Sequence, residues 1–159
     1  MQEWQICHFW CTRCIYTRLL QNAFGKVQLC CYLILPTEDL SFILQPGYVS
    51  SAEDLKAKGI KDIFCVAVND PFVMAAWGSN QNADGKVRML ADTCGDLTKA
   101  LELELDLAKV LGNVRCKRFS ILVEDGKAAQ VNVEPDGTGL TCSLASSLKL
   151  WTEQKALME

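Results

Sequence analysis

A chain of 159 residues is long enough for one well-filled domain and too short for two ordinary ones. Half of its residues are hydrophobic and 22% are charged, a globular composition rather than a disordered one. The formal charge of −3, with no run of basic residues, argues against a nucleic-acid groove. No apolar run reaches the roughly 18 residues of a membrane span.

In chain order, the first elements are the hardest to read. Residues 1–27 mix aromatic, cysteine and β-branched residues with no clean period, and no Pro or Gly punctuates them before Gly25. The apolar run Val27 to Leu35, between Lys26 and Glu38, reads as a buried strand. From Pro46-Gly47 the pattern becomes regular. Ser50 to Glu53 has the form of a capping box, and the helix it opens closes on a C′ glycine, Gly59. Residues 63–68, "IFCVAV", read as a buried strand. Asn69-Asp70-Pro71 caps a helix through "FVMAAWG", with proline in its first turn.

A second strand is expected over 86–92, then a helix through "DLTKALELEL" with Asp96 near its start. Glu102, Glu104 and Asp106 alternate with leucines there and read as a solvated face. A hairpin turns on Glu124-Asp125-Gly126, and a last helix is expected from about Thr141 to Trp151. Strand-helix-strand-helix, a hairpin and a closing helix make the back half of a thioredoxin-like α/β sandwich. The hairpin's inner strand needs parallel neighbours to bury both faces, and 27–35 is the one donor of a central strand. The division that results is an atypical Cys-rich segment at 1–45, weakly structured or supplying one substitute strand, and a thioredoxin-like domain at 46–159.

Nine cysteines is a high and odd count, and no secretory signal pattern opens the chain. A reducing compartment with most thiols free fits better than a disulfide framework. Arg13, Arg18 and Lys26 against only Glu3 before residue 36 faintly suggest a mitochondrial presequence, so the expected compartment is cytoplasmic or mitochondrial. Cys7-x3-Cys11-x2-Cys14 with His8 resembles part of a zinc site, but no later Cys-x2-Cys completes four ligands. No metal and no cofactor are expected. His8 is the only histidine, which removes Cys-His and Ser-His-Asp machinery. Cys30, Cys31 and Cys65 fall on strands and should be inert, Cys94 lies in an exposed loop, and Cys116 is a structural thiol near Lys117 and Arg118. Trp77 reads as a core residue.

Five blocks carry a family resemblance: "PGYVSSAEDLKAKG", "CVAVNDPFVMAAWG", "GKVRMLAD", "GNVRCKRFSILVEDG" and "NVEPDGTGLTCSLA". Over about residues 46–148 they resemble the type-five, atypical two-cysteine peroxiredoxins. The resemblance implies a thioredoxin-like sandwich of the peroxiredoxin type whose N-terminal portion is replaced or truncated. It also implies a thiol peroxidase that reduces hydrogen peroxide and alkyl hydroperoxides, with thioredoxin as reductant. Cys142 stands at the resolving position, on a Gly-rich shelf expected to be mobile, and Arg118 at the position that stabilises thiolate and peroxide. A strand arginine paired with a carboxylate is an equal reading of Arg118.

The family's peroxidatic block is not matched. Its cysteine would stand six residues before Pro46, where this chain has Leu40, and its threonine matches Thr37 alone. A leucine offers no thiolate to peroxide, so the expected enzyme is inactive or nearly so. The alternative is a non-catalytic redox interaction protein forming mixed disulfides through Cys142. Expected partners are thioredoxin, a hydroperoxide if the protein is active, and a second copy of the chain, with no nucleic acid and no membrane. The family's C-terminal peroxisomal tripeptide is not present.

Overall fold

The computed structural model describes the backbone of residues 26–31 and, in full, residues 47–148. Strand β1 (Lys26–Cys31) is followed by helix α1 (Ala52–Ala57), strand β2 (Ile60–Ala67), helix α2 (Pro71–Asn80) and strand β3 (Arg88–Ala91). Helix α3 (Asp96–Ala100), strand β4 (Glu104–Asp106), helix α4 (Ala108–Leu111), strand β5 (Val114–Cys116) and the hairpin β6 (Phe119–Glu124) and β7 (Lys127–Val133) complete the order. Residues 47–50 and 145–148 are also helical.

Five strands form one sheet in the order β3-β2-β1-β6-β7. The expected central strand is there: β1 runs parallel to β2 and antiparallel to β6. Residues 32–35, the rest of that expected strand, lie outside the described residues. The expectation of parallel neighbours for the hairpin's inner strand fails, because β6 is antiparallel to both β1 and β7. An antiparallel strand is buried on both faces just as well when helices cover the sheet on each side.

The strands divide the core into two layers. Ile63 and Cys65 of β2 and Leu122 of β6 pack with Tyr48, Ala52, Leu55 and Leu148. Phe64 and Val66 of β2, with Phe119 and Ile121 of β6, pack with Leu97, Leu103 and Cys116 on the other face. Trp77 lies partly buried against the first layer. This alternation is the two-residue period of a strand covered on both sides.

Local chemistry explains most boundaries. Asp70 Oδ1 accepts from the amides of Phe72 and Val73, both at 2.9 Å, with Pro71 at the first helical position. Gly59 follows α1 with φ +89, the left-handed turn that glycine adopts without a Cβ penalty. Asp125 (φ 48) and Gly126 (φ 76) make the hairpin turn with both central residues at positive φ, which matches the twist of the flanking strands.

Three expected elements differ. The capping box does not form: residues 47–50 are already helical, and Ser50 Oγ donates to the Gly47 carbonyl one turn back. The helix after Asp96 ends at Ala100, with Glu102 at φ 56, and Glu104–Asp106 is a strand paired with β5. Its alternating leucines and acids are strand periodicity, with Leu103 buried and Glu102, Glu104 and Asp106 exposed. The last helix begins at 145 rather than 141, because residues 141–143 are held by a carboxylate described below.

Candidate functional site

The site is built where the hairpin strands end. Phe119 and Val133 are the last cross-strand pair of β6 and β7. One step further, the Glu134 amide donates to the Arg118 carbonyl at 3.0 Å, and the Arg118 amide donates to the Gly137 carbonyl at 2.8 Å. The Gly137 amide returns to the Glu134 carbonyl at 2.9 Å. Glu134-Pro135-Asp136-Gly137 is therefore a β-turn with proline preset at its second position, closed against the Arg118 backbone. Gly137 takes φ +76, and a Cβ there would also press on Leu105 and Lys117 at 3.3 Å.

Asp136 organises the next step. Its Oδ1 accepts from the amides of Thr138 at 3.0 Å and Gly139 at 2.6 Å. Its carboxyl is consequently held below the usual range, mainly by the Gly139 and Thr138 amides. Gly139 is glycine for lack of room: a Cβ would lie 2.8 Å from Asp136 Oδ1 and 3.3 Å from Glu134 Oε2.

Arg118 crosses beneath this loop with only 1% of its surface exposed. Its Nη1 donates to the carbonyls of Thr138 and, at 2.9 Å, of Gly139. These two carbonyls are among its acceptors. Arg118 and the Cys142 loop, 24 residues apart in sequence by their numbers, are thus brought together.

Glu134, 1% exposed, grips the residues around Cys142. Its Oε1 accepts from the amides of Thr141 (2.9 Å), Cys142 (3.0 Å) and Ser143 (2.9 Å) and from Ser143 Oγ (2.6 Å). Its Oε2 accepts from Thr141 Oγ1 at 2.7 Å. Burial alone would raise this carboxyl, but the Ser143 and Thr141 hydroxyls and amides outweigh it and lower the pKa from 4.5 to about 2. Tyr48, fully buried, donates from its hydroxyl to the Ser143 carbonyl at 2.9 Å.

Cys142 sits half-buried within this grip, its Sγ 3.5 Å from the Val133 carbonyl. Burial, and then the Glu134 charge, push its thiol pKa up, so the group is held protonated. The shelf expected to be mobile is stitched to two carboxylates, since its glycines admit close approach as well as freedom. Cys65 and Cys116 are buried and Cys94 is exposed, as read from their positions. Thr37, Leu40 and the Cys7, His8, Cys11, Cys14 cluster lie outside the described residues.

Sequence reasoning found Cys142 and Arg118 but missed Glu134 and Tyr48. The available signal for Glu134 was an acid at a strand exit before Pro-Asp-Gly, followed by hydroxyl residues on both sides of a cysteine.

Comparison with known proteins identifies the family and the fold. The redoxin family's sequence model matches residues 42–147. Peroxiredoxin-2C of Oryza sativa subsp. japonica is 47% identical over 92 residues, which are 58% of this chain and 57% of that protein. Peroxiredoxin-2D of Arabidopsis thaliana is 41% identical over 114 residues, 72% of this chain and 69% of that protein. Among solved structures, reduced Prx3 of Vibrio vulnificus in complex with hydrogen peroxide superposes with a TM-score of 0.79 at 38% identity, covering 87% of this chain and 84% of that one. The chain belongs to the peroxiredoxins, within the redoxin family, and has their thioredoxin-like α/β fold. It spans less than two thirds of the rice relative's length.

Proposed function

We propose that this chain retains the resolving half of a thioredoxin-dependent thiol peroxidase and does not itself turn over hydroperoxide, or does so only marginally. In this reading Cys142 takes the resolving position and Arg118 the position that stabilises thiolate and peroxide. Thr37 keeps the family's threonine and Leu40 stands in place of the peroxidatic cysteine. The observation that carries the reading is the state of Cys142. A thiol raised in pKa by burial and by a neighbouring carboxylate is a poor attacker of peroxide, because the thiolate is the nucleophile. Cys142 therefore makes a poor substitute for a peroxidatic residue, and its attack on a partner sulfur likewise waits on formation of the thiolate.

Without a sulfenic acid at position 40, the chemistry left to Cys142 is thiol–disulfide exchange. Its thiolate attacks a disulfide of a thioredoxin-type partner; the new S–S bond forms as the partner's bond breaks, and the released sulfur takes up the proton. This is the mixed-disulfide function of a redox interaction protein. Hydrogen peroxide and alkyl hydroperoxides are the substrate class of the ancestral activity. The division between 1–45 and 46–159 and a cytoplasmic or mitochondrial site belong to the same proposal. Among the described residues, no helix is long and apolar enough to cross a membrane.

The test is hydrogen peroxide consumption by the reduced full chain with thioredoxin, thioredoxin reductase and NADPH, beside Cys142→Ser. Rates at the free-thiol background for both proteins support the proposal. Turnover well above background that is lost in Cys142→Ser would overturn it.

A further inference from the structure

Exchange at Cys142 needs a sulfur that can present itself to a partner, and the neighbouring chain is pinned. The amides of Thr141, Cys142 and Ser143 all converge on one oxygen of Glu134, and the hydroxyls of Thr141 and Ser143 complete the ring. Successive amides aimed at one anion make a nest, here occupied by a side chain of the same protein. Gly139 leaves space for that carboxylate, and Tyr48 anchors the loop from the opposite side through the Ser143 carbonyl.

We infer that Glu134 is a positioning residue for Cys142: its carboxylate latches 141–143 so that the thiol stays seated by the Val133 carbonyl, and reaction at Cys142 requires the latch to open. The inference rests on the reading of Cys142 as the thiol that meets a partner. Among the described residues, the charged groups at this loop are Glu134, Arg118 through Thr138 and Gly139, Asp136, and Lys117 beside Gly137. Of these, Glu134 is the one that contacts the Cys142 amide, and its charge also opposes thiolate formation. Glu134→Gln keeps the shape of the side chain and an oxygen for the amide nest while removing the charge.

The experiment is alkylation of the reduced full chain by iodoacetamide over about pH 6 to 10, the range around an ordinary thiol pKa, with each cysteine followed by peptide mass spectrometry. Exposed Cys94 serves as internal reference and buried Cys65 as a monitor of folding. Glu134→Gln should label Cys142 about tenfold faster at fixed pH, equivalent to about 1.4 kcal/mol of latch, with the midpoint of its pH profile moved lower and Cys94 unchanged. A folded Glu134→Gln with wild-type rate and midpoint at Cys142 overturns the latch. If labelling of Cys65 shows that variant unfolded, Ser143→Ala decides: it keeps the charge and removes one donor. Its Cys142 should label about threefold faster, as expected for one lost hydrogen bond, and a wild-type rate overturns the inference. A faster Cys142 that still exchanges with no disulfide would remove the proposed function and leave the latch standing.

Discussion

Arg118 and Glu134 face each other one residue beyond the last rung of the β6–β7 ladder, the Glu134 amide bonded to the Arg118 carbonyl at 3.0 Å. Their side chains then divide one loop between them. The guanidinium takes the carbonyls of Thr138 and Gly139, and the carboxylate takes the amides of 141–143. The loop's acceptors meet a cation and its donors meet an anion, so the backbone around Cys142 is satisfied from both ends without a regular element.

Stability should carry the signature of Glu134 at low pH. Its folded pKa of about 2 lies below the ordinary 4.5, so the unfolded chain binds the proton first as pH falls. The stabilisation is complete above about pH 4.5 and is lost as pH drops toward 2. The 2.5-unit difference corresponds to on the order of 3 kcal/mol. Urea midpoints measured between about pH 5 and 2 should fall steeply for the wild type and less steeply for Glu134→Gln.

Gly139→Ala should destabilise the domain by about 1–3 kcal/mol, the usual cost of forcing a methyl into a filled site. The new Cβ would lie 2.8 Å from Asp136 Oδ1, inside contact distance. Thermal melting reads the loss, and an unchanged midpoint would mean that the Asp136 turn relaxes without consequence.

Arg118→Met removes a buried cation from two carbonyls while keeping much of the volume. Hydrogen bonds to charged groups contribute roughly 1.5–3 kcal/mol each, so a loss of about 3 kcal/mol is expected in denaturant unfolding. Labelling of Cys142 should also rise, because the loop loses its carbonyl anchor.

On the proposed reading, Leu40→Cys should give hydroperoxide turnover in the coupled thioredoxin assay, since that reading places the family's nucleophile at residue 40, three residues after Thr37. No gain in turnover would argue against placing the lost nucleophile at residue 40.

How much of this was legible in the sequence follows from how local each signal is. The Asp70-Pro71 cap, the Gly59 stop and the Asp125-Gly126 turn are each set by neighbours in the chain, and all three form. The central strand expected at 27–35 was legible as the one apolar run able to complete the sheet, and β1 forms over Lys26–Cys31 of the described residues. Glu102 to Asp106 was misread because its leucines and acids also suit a helix, and pairing with β5 decided for strand. Ser50 carries cap chemistry, but the helical residues before it remove the need for a cap. Glu134 was invisible for a different reason: nothing in "VEPDG" says that an acid will be buried, because its donors lie seven to nine residues further on. Arg118 and Cys142 entered through family resemblance, and only the fold shows that they share a loop.

Exchange itself is the most direct measurement. The reduced chain would be mixed with a thioredoxin whose second active-site cysteine is replaced by serine and whose first carries thionitrobenzoate as a mixed disulfide. Release of thionitrobenzoate with a covalent adduct mapped to Cys142, lost in Cys142→Ser, is the expected result. An adduct that forms equally well in Cys142→Ser, or no adduct from folded protein, would contradict the assignment of Cys142 as the partner thiol.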